Sequence, residues 1–292
     1  MSAVAAYSGR RKSWRRIGRE VLGKAVVYAM ILPLAAFIIM PFAYMVGSSF
    51  KPVGAAIEFP PRFIPVRWVL DNYPHVFRTI PFFLYLRNSC IVTFGVIIGE
   101  LLSASIVGYA FARLRFPGSN ILFILLLATM MIPYPVTMVS TFVVFKLIGW
   151  IDTYLPLIVP AWFAPAFAVF LLRQFFMTIN RELDDAAKVD GCNELRTLFQ
   201  ILMPLSKPVL TTVAIMSFTA NWNDFLWPLI YLSSSKKFTL ALGINFLRSF
   251  RGGNSVPPQM AAALMFSLPC IILFFAAQKY FVQGIVTTGL KG

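Results

Sequence analysis

The sequence predicts an all-α fold, a polytopic transmembrane helix bundle of six spans with both termini cytoplasmic, and three observations carry that prediction. Hydrophobic residues make up 59% of the 292 positions and charged residues only 13%, whereas ordinary soluble domains carry about 25% charge. Six stretches with at most one charged residue each approach or exceed the roughly 20 residues a helix needs to cross the hydrocarbon. The remaining charge is mostly basic, and seven of the 26 Lys and Arg crowd ahead of the first of these stretches. In lipid the backbone must satisfy its own hydrogen bonds, which leaves helices or closed barrels. The six stretches lack the period-two alternation of barrel strands.

Taken in order, residues 1–24 form a basic cytoplasmic segment with Arg10, Arg11, Lys12, Arg15, Arg16, Arg19 and Lys24. Short positive segments stay inside. The first span, Ala25 to Phe50, is 26 residues without charge, longer than the 7–15 of a cleaved signal segment. A transmembrane unit over residues 25–283 follows. Its first external loop, 51–87, is rich in proline and aromatics (Trp68, Tyr73, Phe77, Phe82, Phe83, Tyr85), which predicts short helices at the membrane interface. Span two is Asn88 to Ala112, closed by the RLRFPG turn. Spans three and four, Ser119 to Phe145 and Tyr154 to Leu172, contain Pro133, Pro135, Pro156, Pro160 and Pro165, which predict kinks. After a cytoplasmic loop, 178–207, come span five (Pro208 to Leu232), an external loop (233–256), span six (Pro257 to Gln278) and a cytoplasmic tail, 284–292. This topology puts 16 Lys and Arg inside and 10 outside.

The net charge of +15 is therefore assigned to membrane lipid headgroups and topology, not to nucleic acid. Cys90, Cys192 and Cys270 form no CxxC pair, and His75 is the single histidine, so no disulfide framework or metal site is expected. No repeat of the kind found in many secondary carriers is visible.

The block from Arg181 to Pro208, RELDDAAKVDGCNELRTLFQILMPLSKP, carries five acids and four bases between two greasy spans, far more than a simple turn needs. Asn180 can cap a helix whose first turn holds Glu182, Asp184 and Asp185, acids placed at its positive end. Gly191 suits the left-handed position that ends it. Asn193 can cap a second helix, expected to stop before Pro204. Leu195, Leu198, Phe199 and Leu202 fall on one stripe of that helix. The result is a protruding two-helix knob; an amphipathic loop lying on the headgroups is the other reading of the same residues.

These residues resemble the cytoplasmic signature loop of ABC importer permeases, Glu-Ala-Ala followed after three residues by Gly and later by Ile-x-Leu-Pro. Asp185 stands at the glutamate position, Ala186, Ala187 and Gly191 match, and Ile201-Leu202-Met203-Pro204 follows with Met203 in place of leucine. Glu182 and Asp190 resemble the sugar-importer branch, as do Asn72-Tyr73, Asn88-Ser89, YAFARLRFPG, NWNDFLWPL and QKYFVQGIVTTGLKG. Together they resemble the second permease subunit of maltose-type carbohydrate importers. The resemblance implies a multi-pass subunit in a bacterial or archaeal cytoplasmic (inner) membrane. Its partners would be a sister permease (as a heterodimer), two ATPase subunits inside and an extracytoplasmic solute-binding protein delivering the sugar. It also makes the knob the docking point through which ATPase motion reaches the membrane helices.

No GxxxxGK[ST] loop occurs, so no cofactor is expected on this chain and ATP and Mg belong to the partner ATPase. No catalytic constellation is present, and the chain is read as a transporter subunit, not an enzyme. Asn221, Trp222, Asn223 and Asp224, with Trp227 one turn on, concentrate polarity in the middle of the expected fifth span. Charge at membrane depth is costly, so such groups line a substrate path or bond across helices. Glu100 in span two carries the same two alternatives. An ion-coupled carrier or channel with Glu100 and Asp224 as ion sites is the competing reading, and it would lack a knob.

Overall fold

The computed structural model describes residues 14–54, 60–249 and 256–289, and among them every regular element is helical. Four stretches are long and apolar enough to span a membrane: Leu22–Ser49, Phe82–Arg113, Leu155–Thr178 and Val256–Gln278. Two bent pairs bring the number to six if each pair counts as one span.

Helix α1 (Trp14–Ser49) begins inside the basic segment and contains Pro33 and Pro41. The first long loop folds into α2 (Asn72–Thr79), and α3 starts within that loop, at Phe82, and runs to Arg113. Trp68, Phe77 and Phe83 are exposed as expected of interface residues, but Phe82 and Tyr85 are buried in the core. The Asn72 amide donates to the carbonyls of Ser49 and Lys51, each at 2.8 Å, and so closes the end of α1.

The third expected span is two helices, α4 (Ser119–Ala128, extended by a 3-10 turn to Met131) and α5 (Tyr134–Leu147), meeting at 98°. Pro133 is the cause. Its ring drives Ile132 into extended backbone, φ −78° and ψ 114°, because proline excludes helical geometry in the residue before it. The fourth expected span is α6 (Leu155–Ile158), a 3-10 turn (Val159–Trp162) and α7 (Ala166–Thr178). It is interrupted at Ala164, which takes a positive φ of 53°. Ser103 of α3 braces that strained turn, its Oγ accepting from the Ala164 N–H at 3.1 Å and donating to the Ala161 carbonyl at 3.2 Å.

After α8 (Glu182–Val189) and α9 (Glu194–Arg196), the chain does not stop before Pro204. It continues through a π-helical turn, Thr197–Leu202, into α10 (Met203–Leu205). In an α-helix the Pro204 ring would strike the carbonyl of Gln200, and the wider π turn relieves that clash. The chain then bends by 82° into α11 (Lys207–Trp222).

The fifth expected span is also corrected. It breaks after Trp222 and resumes as α12 (Leu226–Tyr231). The amides of Asn221 and Asn223 bond back to the carbonyls of Ser217 and Thr219, each at 2.8 Å. Asp224 Oδ1 accepts from the N–H groups of Leu226 and Trp227 at 3.1 and 3.2 Å. Short polar side chains that bond to nearby backbone compete with the helix ladder, and here they end it. A 3-10 turn (Ser235–Lys237), α13 (Leu240–Ser249) and α14 (Val256–Gly289) complete the chain. Helix α14 runs on through most of the expected tail, and residues 290–292 lie outside the described residues.

Helix α3 is the axis. Its Phe82, Tyr85 and Ile97 join one core cluster with α11, α13 and α14, and its Ala104, Tyr109 and Ala112 join another with α7 and the π turn. Gly99 permits another close approach to α3: a Cβ there would stand 2.2 Å from the Trp162 ring. Small residues of this kind let helices approach in lipid. By contrast α4 and α5 bury no residue, and neither does the most apolar stretch of α1.

Candidate functional site

The block 181–208 folds as a knob at one end of α3. Asn180 Oδ1 accepts from the Glu182 N–H at 3.2 Å and its amide donates to Glu182 Oε2 at 2.9 Å. Three acids, Glu182, Asp184 and Asp185, occupy the first turn of α8. Gly191 takes φ +77°. Its N–H bonds to the Lys188 carbonyl at 3.1 Å and the Cys192 N–H to that of Ala187 at 2.9 Å, the paired bonds of a Schellman stop. Asn193 Oδ1 then accepts from the Arg196 N–H at 2.8 Å and starts the second helix.

Two polar links fasten the knob to α3. Arg113 Nε lies 3.1 Å from Asp184 Oδ2, with side-chain exposures of 4% and 12%, and Arg113 Nη2 donates to the Ile179 carbonyl at 2.9 Å. One helix turn back, the Tyr109 hydroxyl donates to Glu194 Oε2, whose other oxygen is 3.6 Å from Lys188 Nζ. Burial pushes the Asp184 carboxyl above its ordinary value, while the Arg113 and Lys188 charges pull against that rise. Beneath these links Leu198 and Leu202 are fully buried against α3 and α7.

The expected apolar stripe is therefore divided. Leu198 and Leu202 hold the knob down, while Leu195 and Phe199 are exposed, together with Leu183 and Val189 of α8, the last at 88%. Of the signature residues, Glu182, Asp185, Ala186, Asp190, Gly191 and Pro204 are exposed, Ile201 is half-buried and Ala187 is buried. The knob thus presents small and apolar residues ringed by acids, on a base that is locked.

The polar residues of the fifth span lie apart from the knob and do not act as one group. Trp222 is 2% exposed, donates from Nε1 to the Phe266 carbonyl at 3.0 Å, and stacks on Phe218 and Phe266. It is a core residue that spends both ring faces within the chain. Asn221 is half-buried beside Ser217, to which the Glu100 carboxyl also turns, so Glu100 and Asn221 share that serine between α3 and α11. Asn223 is exposed and Asp224 half-buried at the helix break. Trp227 stacks on Tyr231 and meets Tyr134 edge-on at 4.6 Å. The two broken helices therefore touch at their breaks.

Several braces were missed in the sequence. Arg113 and Tyr109 belong to YAFARLRFPG, and their spacing of four on one helix face was the available signal. Asp152 gave none: it takes φ +59°, its Oδ1 accepts from the Ser233 and Ser234 N–H groups at 3.1 and 2.9 Å, and its Oδ2 lies 3.1 Å from Lys237 Nζ. Burial would raise this carboxyl, but the Ser234, Lys237 and Ser233 bonds outweigh it and hold it well below the usual carboxylate range. In the second turn of α3, the Asn88 amide donates to the Lys236 and Phe238 carbonyls, each at 3.0 Å.

A helical membrane subunit of a transport system is the class that this bundle and knob define. The chain belongs to the family described as "Binding-protein-dependent transport system inner membrane component", whose profile matches residues 101–287. It is 35% identical to the arabinooligosaccharides transport system permease protein AraQ of Halalkalibacterium halodurans, over 91% of this chain and 94% of that one. It is 30% identical to the maltodextrin transport system permease protein MdxG of Bacillus subtilis, over 94% and 98%. It is 33% identical to the sn-glycerol-3-phosphate transport system permease protein UgpE of Yersinia pestis, over 78% and 84%. Among solved structures, a chain of a bacterial ABC transporter involved in the import of alginate superposes with a TM-score of 0.80 at 23% identity, covering 90% of this chain and 98% of that one. Members of the family are permease subunits of ABC transporters, not enzymes. Membership sets aside the ion-coupled carrier.

Proposed function

We propose that this chain is one of two permease subunits in an ATP-driven importer of a sugar or oligosaccharide, working by alternating access. The observation that carries the reading is the knob: an acid-ringed surface of small and apolar residues, Ala186 and Val189 among them, set on a base pinned to α3 by a buried ion pair. A protruding surface fits an ATPase partner, and a rigid base lets its displacement move α3 as a unit. ATP and Mg belong to that partner, two copies of which serve the complex. The sister permease covers apolar helix faces that this chain leaves exposed, and a solute-binding protein delivers the sugar from outside.

The six-span topology with both ends cytoplasmic is part of this reading. In that topology α4 and α5 together make one bent span, α11 and α12 make the fifth, and the basic residues 1–24 lie inside. Relatives named for arabinooligosaccharides, maltodextrin and sn-glycerol-3-phosphate support a polyhydroxylated substrate. The test is uptake into proteoliposomes holding the purified complex, with its binding protein and candidate radiolabelled sugars. Uptake that needs ATP and survives collapse of the ion gradients is the expected result; uptake driven by an ion gradient without ATP would overturn it.

A further inference from the structure

Where α1 ends, the chain leaves an apolar groove of about 410 Å3, lined by Phe42, Ala43, Val46, Phe63, Ile64 and Trp68 among others. It exists because the segment around Phe63 crosses α1 at backbone contact: a Cβ on Gly47 would stand 1.8 Å from the Phe63 carbonyl oxygen. Its depth in the membrane follows from helix geometry. Counted from Ala25 at 1.5 Å per residue, a hydrocarbon core of about 30 Å ends near Tyr44, so the groove opens at the boundary between acyl chains and headgroups. Trp68 on its wall is 64% exposed, as suits an aromatic at that boundary.

Two cations flank the groove, one buried and one exposed. Lys51 is 3% exposed, and its ammonium donates to the Arg62 carbonyl at 2.7 Å and lies 4.9 Å over the Tyr44 ring. That ring in turn meets Phe63 of the groove edge-on at 5.8 Å. Exposed Arg67 adjoins Trp68.

We infer that this groove holds one acyl chain of an anionic phospholipid, with the headgroup phosphate facing exposed Arg67. An almost wholly apolar slot continuous with the bilayer takes a chain, and exposed Arg67 selects the charge of the head. The inference rests on α1 crossing the membrane but on neither the transported substrate nor ATP coupling, so it fails or stands separately from the proposed function.

The test uses the purified, delipidated complex, titrated with dioleoyl phosphatidylglycerol or dioleoyl phosphatidylcholine and read by native mass spectrometry. Ala43 is exposed within the groove, so a larger side chain fills the slot without entering the core. Wild-type complex is expected to take up a phosphatidylglycerol that Ala43→Phe does not, with Ala43→Leu intermediate. Arg67→Gln is expected to retain the lipid but lower its preference for phosphatidylglycerol over phosphatidylcholine by roughly fivefold, the worth of one basic residue near an anionic surface. Equal lipid counts in wild type, Ala43→Leu and Ala43→Phe would overturn the site, and equal uptake of both lipids by wild type would overturn its charge selection. A cysteine at position 43 that cross-links to the sister permease would assign the groove to protein instead.

Discussion

Arg113 at the end of α3 and Asp184 in the first turn of α8 form an ion pair at 3.1 Å that is nearly closed to solvent. The pair joins α3, which contributes to both core clusters, to the knob, so displacement of one is displacement of the other. Removing one member of a buried pair leaves a charge without a partner, at about 3–5 kcal/mol. Arg113→Leu is therefore expected to lower the amount of assembled complex and to uncouple ATP hydrolysis from uptake in what remains. Joint substitution with Asp184→Leu should recover assembly better than either single change. Yield after gel filtration and uptake per assembled complex measure both effects.

Because burial raises the Asp184 carboxyl, the folded knob binds a proton more readily than the unfolded chain. Its stability contribution is highest in acid and falls as pH rises from the ordinary aspartate value of about 3.9 through the raised folded value. Hydrogen exchange at Ala186 to Cys192, corrected for intrinsic rates, is expected to slow as pH is lowered through that window. Asp184→Asn should remove the dependence.

Gly191 has open space where a Cβ would go, but its φ is +77°. The obstacle to substitution is backbone strain alone. Gly191→Asn, which tolerates the left-handed region, is expected to transport near normally, whereas Gly191→Val pays the steric cost of about 1–2 kcal/mol or more for a branched residue. The valine variant should keep part of its ATP hydrolysis while losing sugar uptake; uptake equal to wild type would contradict the need for the bend.

In the interrupted fifth span, Trp222→Ala opens a hole in the core worth about 3–5 kcal/mol and should reduce assembly. Asn223→Ala, at an exposed amide, should not. Asp224→Asn keeps an oxygen for the Leu226 and Trp227 N–H groups and is expected to be mild, while Asp224→Leu removes that cap at about 1 kcal/mol. The amount of complex recovered from membranes separates these outcomes.

Asp152 is held below the usual carboxylate range by its serine and lysine bonds, so its clamp is expected to persist at every pH above the ordinary aspartate value and to weaken only in stronger acid. Proteolysis between Ser233 and Lys237 should stay slow from pH 5 to 8 in wild type and become rapid in Asp152→Ala.

The helices were legible because composition and run length report burial in lipid directly, and the knob because Asn180, Gly191 and Asn193 are local signals with local consequences. Breaks were harder to read. Asn221 to Asp224 have polarity that suits a helix interior facing a cavity as well as a helix end, and only the bonds they make decide. The π turn ahead of Pro204 was not read because a proline signals a helix stop as readily as a widened turn, and the sequence does not choose between them. Long-range braces such as Asn88 to Lys236 and Asp152 to Ser234 are silent in sequence, because neither the helical Asn88 nor the loop residues carry a mark of the partner that the fold brings near.

The account turns on whether the exposed face of α8 meets an ATPase. The most direct measurement places a single cysteine at Ala186, with Cys90, Cys192 and Cys270 replaced by serine, in the fully assembled complex. A short bifunctional cross-linker is expected to join position 186 to the ATPase subunit, with a yield that changes on adding ATP, and the cysteine should be shielded from aqueous maleimide. A position 186 that cross-links to no ATPase and stays fully open to maleimide in the intact complex would contradict the coupling role of the knob.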